Sequence, residues 1–220
     1  MATRKKTVEI NAQFLLDQYT NYVLDKEQKP GSVHKFCSAI EIEEAGFYKH
    51  FASLEMLESS FYVAMHDHTL RLLHSNEEYS DYNDANKLLS YYFTFFEMAT
   101  ANRSYILMSL KGNSNPLESI IQLKDLRKQF LVFADEILKD RKTIPEEKLK
   151  KVQGKILQEG AWLQFLFAFR FWMQDTSPNF EKTDIMIEKS VKASFDVLDS
   201  FPLQSVVDFG KFLWKERPFQ

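Results

Sequence analysis

The stretch from Ser32 to Leu57, SVHKFCSAIEIEEAGFYKHFASLEML, decides the fold of this 220-residue chain. Its apolar residues recur at helical spacing and divide the stretch into one short helix, a turn, a second short helix and the start of a third. The inward positions are those of Val33, Phe36, Ile40, Phe47 and Phe51. Two short helices at this spacing predict a helix-turn-helix, whose second helix can lie in the major groove of DNA.

The rest of the chain predicts further helices, because it has only 6 Gly and 6 Pro among regularly spaced apolar residues. Ser32 and Ser53 are expected to cap two of these helices with their side-chain oxygens. The expected helices after residue 52 cover about 53–75, 85–101, 103–110, 116–142, 146–174, 181–200 and 203–215. The chain is therefore predicted to be all-α, with a three-helix domain over residues 1–52 and a larger helical domain over 53–220.

The composition indicates a soluble globular protein, with 45% hydrophobic and 27% charged residues. The net charge of -3 gives no overall attraction to nucleic acid, so any DNA contact must come from a local patch. The one cysteine, Cys37, lies in an apolar row and is expected to be a small core residue. No segment predicts a membrane span or a signal peptide, which favours a cytoplasmic protein without a membrane partner.

The most apolar segment is Ala161 to Met173, whose side chains surround the predicted helix almost completely. A helix that is apolar all round is expected to be buried all round. One side would face its own domain, and the other would need a second partner. Within this segment Arg170 is expected to be buried, which requires an anionic partner.

No enzyme chemistry is expected. His66 and His68 would point about 200° apart on a helix, so they are not expected to bind a metal ion together. The sequence holds no nucleophile motif, glycine-rich phosphate loop or dinucleotide fingerprint. We therefore predict no catalytic residue, no metal and no cofactor.

Two short motifs carry a resemblance to the tetracycline-repressor (TetR) family of transcriptional regulators. Phe47-Tyr48-Lys49-His50-Phe51 is similar to the family's signature of aromatic, Tyr, basic, aromatic and Phe. Ser53-Leu54-Glu55-Met56-Leu57 is similar to the Ser-Lys-Glu-x-Leu that opens the family's long connecting helix. The resemblance implies a DNA-binding regulator controlled by an apolar or amphipathic small-molecule effector.

The same resemblance implies a helix-turn-helix DNA-binding domain followed by a ligand-binding and dimerisation domain. The homodimer would form through helices near 147–174 and 181–200, packed as a four-helix bundle. The residues expected to contact DNA are Arg4, Lys5, Lys6, Ser32, Lys35, Tyr48, Lys49 and His50. The first three would form an arm in the minor groove, and the others would contact the phosphate backbone.

The aromatic helices would enclose the effector, although the same rings could simply fill a core. The residues expected at the ligand are Phe95, Met98, Tyr105, Phe130, Phe133, Trp162, Phe165, Phe169 and Arg170. For Arg170 the anionic partner would be a protein carboxylate such as Glu97 or Glu159, or the carboxylate of a fatty-acid-like ligand.

The sequence departs from the family at the exposed positions of the motif. Glu41 stands where the family has Gly in the turn, and Glu43 stands where Ser or Thr caps the recognition helix. Glu44 replaces a basic residue, and Leu54 replaces a phosphate-contacting Lys. These losses favour weak or dimer-dependent DNA binding. They also support an alternative: a TetR-fold small-molecule or lipid-binding protein that has lost specific DNA binding.

Overall fold

The computed structural model describes residues 9–111, 122–141 and 147–200, and within these ranges every regular element is a helix. The predicted all-α fold is thereby confirmed. The α-helices are α1 (Ala12–Lys26), α2 (Val33–Ala39), α3 (Glu44–Tyr48), α4 (Leu54–His74), α5 (Asp84–Ala101), α6 (Arg103–Lys111), α7 (Lys124–Ile137), α8 (Glu147–Gln174) and α9 (Glu181–Ser200). Three short 3-10 helices cover Glu77–Asp81, Lys139–Arg141 and Pro178–Phe180. The helix expected at 203–215 and the start of the one at 116 lie outside the described residues.

The chain divides into two compact units. The first holds the residues through Ser75 together with Thr94–Phe130, and the second holds Asn76–Phe93 together with the residues from Leu131 onward. The divisions fall inside α5 and α7, so each of these helices contributes residues to both units. The predicted three-helix domain over 1–52 lies within the first unit, and its boundary at residue 52 stays a prediction.

Side-chain caps begin the helices of the first unit. Asn11 Oδ1 accepts a hydrogen bond from the Phe14 amide at 2.8 Å, at the start of α1. Ser32 Oγ accepts one from the Lys35 amide at 3.2 Å, and Ser53 Oγ accepts one from the Met56 amide at 3.3 Å. Each cap satisfies an amide that has no partner within its own helix. The caps predicted at Ser32 and Ser53 are thus confirmed.

The core of the helix-turn-helix is a set of edge-on aromatic rings. Phe36 lies 5.4 Å from Tyr19 and 6.1 Å from Phe47, measured between ring centroids. Phe36 and Phe47 are fully buried, and Cys37 beside them is 1% exposed. The predicted inward positions of Phe36 and Phe47 and the core role of Cys37 are confirmed. Burial of such rings supplies the free energy that holds the two short helices.

The second unit is organised by α8 and by a capped turn before α9. Four rings of α8 follow one another along its buried side, with centroid distances of 5.2, 6.0 and 5.6 Å. They are Trp162, Phe165, Phe169 and Trp172. Before α9, Asp175 Oδ2 accepts hydrogen bonds from the Thr183 amide at 2.9 Å and the Thr183 hydroxyl at 2.7 Å. Gln164 of α8 also donates to Ser190 of α9 at 3.2 Å.

Arg141 connects three parts of the second unit. Its guanidinium forms ion pairs with Asp84 at the start of α5 and with Asp199 near the end of α9. It also lies 4.9 Å from the ring centroid of Phe195. No helix in the described ranges is long and apolar enough to cross a membrane.

Candidate functional site

The turn between α2 and α3 closes around a strained residue. Glu41 has φ 56°, in the left-handed region that costs an L-amino acid free energy and that glycine adopts freely. The amide of Ile42 donates to the Cys37 carbonyl at 3.0 Å and completes the turn. The expectation that this turn closes without the glycine of the family pattern is confirmed.

The recognition helix α3 begins without a side-chain cap. Glu43 occupies the N-cap position and makes no capping hydrogen bond, and α3 itself is only 5 residues long. In the first turn, Glu44 Oε1 lies 2.9 Å from His34 Nδ1 of α2. This contact draws one of the three carboxylates of the motif toward α2. The weaker cap expected at Glu43 is therefore observed.

The predicted DNA-contacting residues lie at the start of α2 and at the end of α3. Tyr48 is 52% exposed, and Lys35, Lys49 and His50 are also exposed. His50 Nε2 donates to the Ile10 carbonyl at 3.1 Å, which joins the end of α3 to the segment before α1. The Ser32 hydroxyl serves as the cap of α2. Arg4, Lys5 and Lys6 lie outside the described residues.

A buried carboxylate forms the centre of a polar cluster in the first unit. Glu58 of α4 is 6% exposed and accepts hydrogen bonds from the Tyr19 hydroxyl and from Lys29 Nζ at 2.8 Å. Gln122 Nε2 donates to the same carboxylate at 3.3 Å and to the Ser109 carbonyl at 3.4 Å. Burial and the nearby Glu58 hold the pKa of Tyr19 well above its ordinary value. The cluster joins α1, the segment before α2, α4 and α6.

Two atoms of this region have no hydrogen-bond partner among the described residues. They are the hydroxyl oxygen of Tyr105 and Oε1 of Gln122, both shielded from solvent. Burial raises the pKa of Tyr105 above its ordinary value, and the neighbouring Tyr62 and Glu58 raise it further. The Tyr105 hydroxyl is therefore neutral at physiological pH. Tyr62 beside it shares a hydrogen bond of 3.0 Å with the Ser109 hydroxyl.

The predicted ligand residues divide between the two units. Phe95, Met98, Tyr105 and Phe130 belong to the first unit, and Phe133, Trp162, Phe165, Phe169 and Arg170 belong to the second. Met98 lines a groove of about 510 Å³ in the first unit, together with Leu16, Phe61 and Met65. In the second unit, Trp162, Phe165 and Phe169 pack on one another. Their role at a ligand stays a prediction.

The expectation that Arg170 is buried is wrong. The side chain is exposed on α8, whereas its neighbour Phe169 is 4% exposed. The sequence gives no sign of this because apolar residues surround Arg170 on both sides. An exposed guanidinium is satisfied by water, so the physical argument for an anionic partner at this position no longer holds.

One face of α8 is apolar and exposed. Leu163 is 64% exposed and Phe167 is 58% exposed in the single chain. They lie on a side of the segment that its own domain leaves uncovered, and the second partner expected for such a side stays a prediction. Val152 and Ile156 continue this face toward the start of the helix, with exposures of 53% and 61%. The intervals of four, seven and four residues place these four side chains on one stripe. We call these four residues the α8 stripe.

His66 and His68 of α4 are the histidines that were considered as metal ligands from the sequence. His66 is buried and His68 is exposed, so the two histidines lie on different sides of α4, as their spacing predicts. Within residues 9–111, 122–141 and 147–200, no group of three or more His, Cys, Asp or Glu side chains is placed to hold a metal ion.

Comparison with known proteins identifies the family. The sequence profile described as "Tetracyclin repressor-like, C-terminal domain" matches residues 87–213, which is more than half of the chain. The chain belongs to the TetR family. No curated protein sequence matches it. The TetR resemblance noted in residues 47–57 is thus confirmed by an independent part of the chain.

Two solved structures resemble this TetR-family chain. The first is a protein from Syntrophomonas wolfei str. Goettingen assigned to the TetR-family transcriptional regulators, with 11% identity and a TM-score of 0.60. The match covers 82% of this chain and 92% of that one, and at this identity it supports the fold. The second is the fatty acid degradation regulator FadR from Bacillus halodurans, with 14% identity, a TM-score of 0.46, and coverage of 89% and 96%.

The polar cluster around Glu58 is the feature of this TetR-family chain that the sequence motifs missed. One signal was present. Glu58 falls among Leu57, Phe61 and Tyr62, at the inward positions of α4, where a carboxylate requires partners. Its partner Gln122 is 64 residues away, so nothing local identified it.

Proposed function

We propose that the chain is a homodimeric DNA-binding transcriptional regulator whose DNA affinity changes when an apolar or amphipathic small molecule binds. TetR-family regulators bind DNA, dimerise and bind small-molecule effectors. The observation that carries the proposal for this chain is the outer face of α3, where Tyr48 and Lys49 are exposed beside a fully formed helix-turn-helix core. An aromatic hydroxyl and an ammonium group are suited to contact phosphate oxygens.

The α8 stripe supports the homodimer. Exposed apolar side chains in a continuous row are characteristic of a surface that packs on another copy or on a partner. Each large side chain that leaves water contributes about 1.5–3 kcal/mol. Two copies would bury two stripes, with α9 beside each of them. The pairing would also double the number of phosphate contacts, which a single motif with few basic residues needs.

A second function has an observation in its favour. Glu41, Glu43 and Glu44 lie in the turn and the first turn of α3, and Glu44 contacts the imidazole of His34. Residues 1–55 hold seven Lys or Arg and eight Asp or Glu. This balance favours a TetR-fold binding protein that keeps its ligand site and has lost specific DNA binding.

A salt titration of DNA binding separates the two functions. The full chain, purified free of ligand, is titrated onto labelled DNA that flanks its own gene, and the dissociation constant is measured by fluorescence anisotropy as the salt concentration rises. A regulator binds at low salt and weakens steeply, because each phosphate contact releases counterions. Absence of binding at low salt would reject the regulator and support the binding protein.

Charge reversal tests the surface. Lys49→Glu on α3 is expected to weaken binding by more than about tenfold, because it removes a phosphate contact and adds repulsion. Lys128→Glu makes the same charge change on an exposed residue of α7 and serves as the matched control. Equal losses in the two variants would indicate an effect of net charge alone and would contradict a specific role for α3.

The dimer has its own measurement. Leu163→Glu in the α8 stripe is expected to convert the dimer to a monomer in native mass spectrometry, because it places a charge in an apolar contact. Leu72→Glu changes an exposed leucine of α4 that lies outside the stripe, and it should leave the mass unchanged. A monomeric wild-type chain would contradict the proposal.

A further inference from the structure

The two unpartnered polar atoms in the first unit indicate where a ligand makes its hydrogen bonds. Buried polar atoms in folded proteins are almost always paired, and an unpaired one costs free energy. Tyr105 is 1% exposed, and neither its hydroxyl nor Gln122 Oε1 has a partner among the described residues. Two such atoms beside one buried cluster are explained if another molecule supplies their partners.

The hydrogen bonds of Gln122 define which partner its oxygen lacks. Gln122 Nε2 lies 3.3 Å from Glu58 Oε2 and 3.4 Å from the Ser109 carbonyl oxygen, and both of these atoms can only accept. The amide nitrogen must therefore face them, because it is the donor end of the side chain. A group that pairs with Oε1 must therefore donate a hydrogen bond.

Tyr105 stands on the same helix as Ser109, one turn earlier. Its hydroxyl can donate or accept, so it matches a ligand group that does both. Its ring lies 4.6 Å from the ring of Phe61, measured between centroids. Phe61 in turn lines one side of a groove of about 510 Å³ together with Met65 and Met98, and polar side chains such as Asn102 line the rest of it. An apolar chain that lies along the Phe61 side of this groove reaches the residue in contact with Tyr105.

The charges around the site argue against an anionic head group. Glu58 is a buried carboxylate, and its cationic partner Lys29 is already engaged at 2.8 Å. A second carboxylate placed near Gln122 would be repelled by Glu58, because the buried surroundings screen charge poorly. A hydroxyl group donates to Gln122 and accepts from Tyr105 without adding charge.

We propose that Tyr105 and Gln122 form the polar end of a site in the first unit that takes an uncharged, hydroxyl-bearing amphipathic molecule. The proposal rests on the effector-controlled function given above and names the chemical class of the effector. The hydroxyl of the ligand donates to Gln122 Oε1 and accepts from the Tyr105 hydroxyl. Its apolar part lies against Phe61 and Met98.

The selectivity can be measured with three probes that share one saturated chain. The full chain, purified free of ligand, is titrated with 1-decanol, sodium decanoate and decylammonium chloride, and each dissociation constant is measured by calorimetry. 1-Decanol is expected to bind at least about tenfold more tightly than either charged probe. Absence of decanol binding, or equal or tighter binding of decanoate or decylammonium, would overturn the proposal.

A variant that removes only one oxygen tests the hydrogen bond. Tyr105→Phe is expected to melt at the same or a higher temperature than the wild type, because the unbound hydroxyl makes no bond that the variant loses. Its affinity for 1-decanol is expected to fall by about tenfold. Tyr22→Phe removes a hydroxyl from α1, where the ring packs on Phe36, and should leave the affinity unchanged. Unchanged decanol affinity in Tyr105→Phe would reject the assigned role.

Gln122→Met gives a second measurement that does not depend on Tyr105. It keeps the length of the side chain but removes Oε1 together with the Nε2 donor to Glu58 and the Ser109 carbonyl, so the melting temperature of the variant is measured beside its affinity. Decanol affinity is expected to fall in a variant that remains folded, and retained affinity would overturn the proposal. The decanol titrations contain no DNA, so their failure is distinguishable from failure of the proposed function. Decanol binding without DNA binding would support the proposed ligand site and reject the DNA-binding function. DNA binding without decanol binding would support the DNA-binding function and reject the ligand site.

Discussion

Helices α3 and α9 are each preceded by a carboxylate, but only one of the two carboxylates accepts hydrogen bonds at the start of its helix. Asp175 precedes α9 and accepts hydrogen bonds from the amides and hydroxyls of Ser177 and Thr183. Glu43 precedes α3 and makes no capping bond. Helix α9 is 20 residues long, and α3 is 5 residues long. The difference shows that α9 is fixed by local hydrogen bonds as well as by its core, whereas α3 depends on one buried ring.

Phe47 is that ring, because it is the one residue of α3 that is buried. Phe47→Ala is expected to lower the free energy of unfolding by about 3–5 kcal/mol, through lost apolar burial and the cavity left behind. The measurement is chemical denaturation followed by circular dichroism. Tyr48→Ala, in the next position and 52% exposed, should change stability by less than about 0.5 kcal/mol. A comparable loss in both variants would contradict the single-anchor account of α3.

Asp175→Ala tests the opposite case. The amides and hydroxyls of Ser177 and Thr183 lose their acceptor in this variant. Because a buried donor without an acceptor is unfavourable, the free energy of unfolding should fall by about 2 kcal/mol. Asp196→Ala removes an exposed carboxylate from the same helix and should have little effect. A small loss at Asp175, equal to that at Asp196, would show that the capped turn is not what fixes the start of α9.

The loss at Asp175 should also depend on pH. Burial alone would raise the pKa of Asp175, but the hydrogen bonds from Ser177 and Thr183 outweigh it and hold the pKa below its ordinary value. A carboxylate with a lowered pKa stabilises the fold fully above its unfolded pKa of about 3.9 and loses that contribution as the pH falls below it. The stability gap between wild type and Asp175→Ala should therefore be constant from about pH 7 to pH 5 and narrow in stronger acid. A gap that widens in acid would refute the assignment.

Glu43→Ser should give α3 the cap that it lacks. A serine oxygen at this position can accept from an amide of the first turn, which typically contributes about 1 kcal/mol. Glu43→Gln removes the charge without supplying a good cap and so separates the two effects. The expected order of melting temperature is Glu43→Ser above Glu43→Gln and the wild type. If serine gives no gain over glutamine, the missing cap is not a weakness of α3.

The smallest expected effect is at the turn. Glu41→Gly should raise the free energy of unfolding by about 0.5 kcal/mol. Glycine removes the strain of the positive φ, and this gain should exceed the stability lost because glycine gives the unfolded chain more conformational entropy. Glu41→Val should be destabilising, since a β-branched side chain suits this conformation poorly. Thermal denaturation of the two variants provides the comparison. Stabilisation by Val would contradict the strain argument.

The features that the sequence predicts well depend on neighbours along the chain. The caps at Ser32 and Ser53, the core position of Cys37 and the strained turn at Glu41 each follow from a few adjacent residues. Helix boundaries in the described ranges also follow from local spacing, since α9 begins and ends at the predicted residues. These features could be predicted because their physical causes lie within one or two helical turns.

The features that the sequence does not predict depend on packing at long range. Apolar periodicity in residues 161–173 gives no information on which side of α8 the chain covers, so the exposure of Leu163 and Arg170 could not be foreseen. The contact of Glu58 with Gln122 joins residues far apart in the sequence. Tyr105 was already expected at the ligand from the sequence, but the role proposed for Gln122 beside it depends on the hydrogen bonds of the folded chain.

We propose that α3 binds DNA in spite of its acidic first turn. The most direct test is the affinity of the wild-type chain and of Glu43→Ser for the flanking DNA at about 50 mM and about 200 mM salt. We predict that both proteins bind at the lower salt, that both weaken at the higher salt, and that Glu43→Ser binds more tightly because it loses one repulsive charge and gains a cap. Absence of binding by both proteins at about 50 mM salt would contradict the claim.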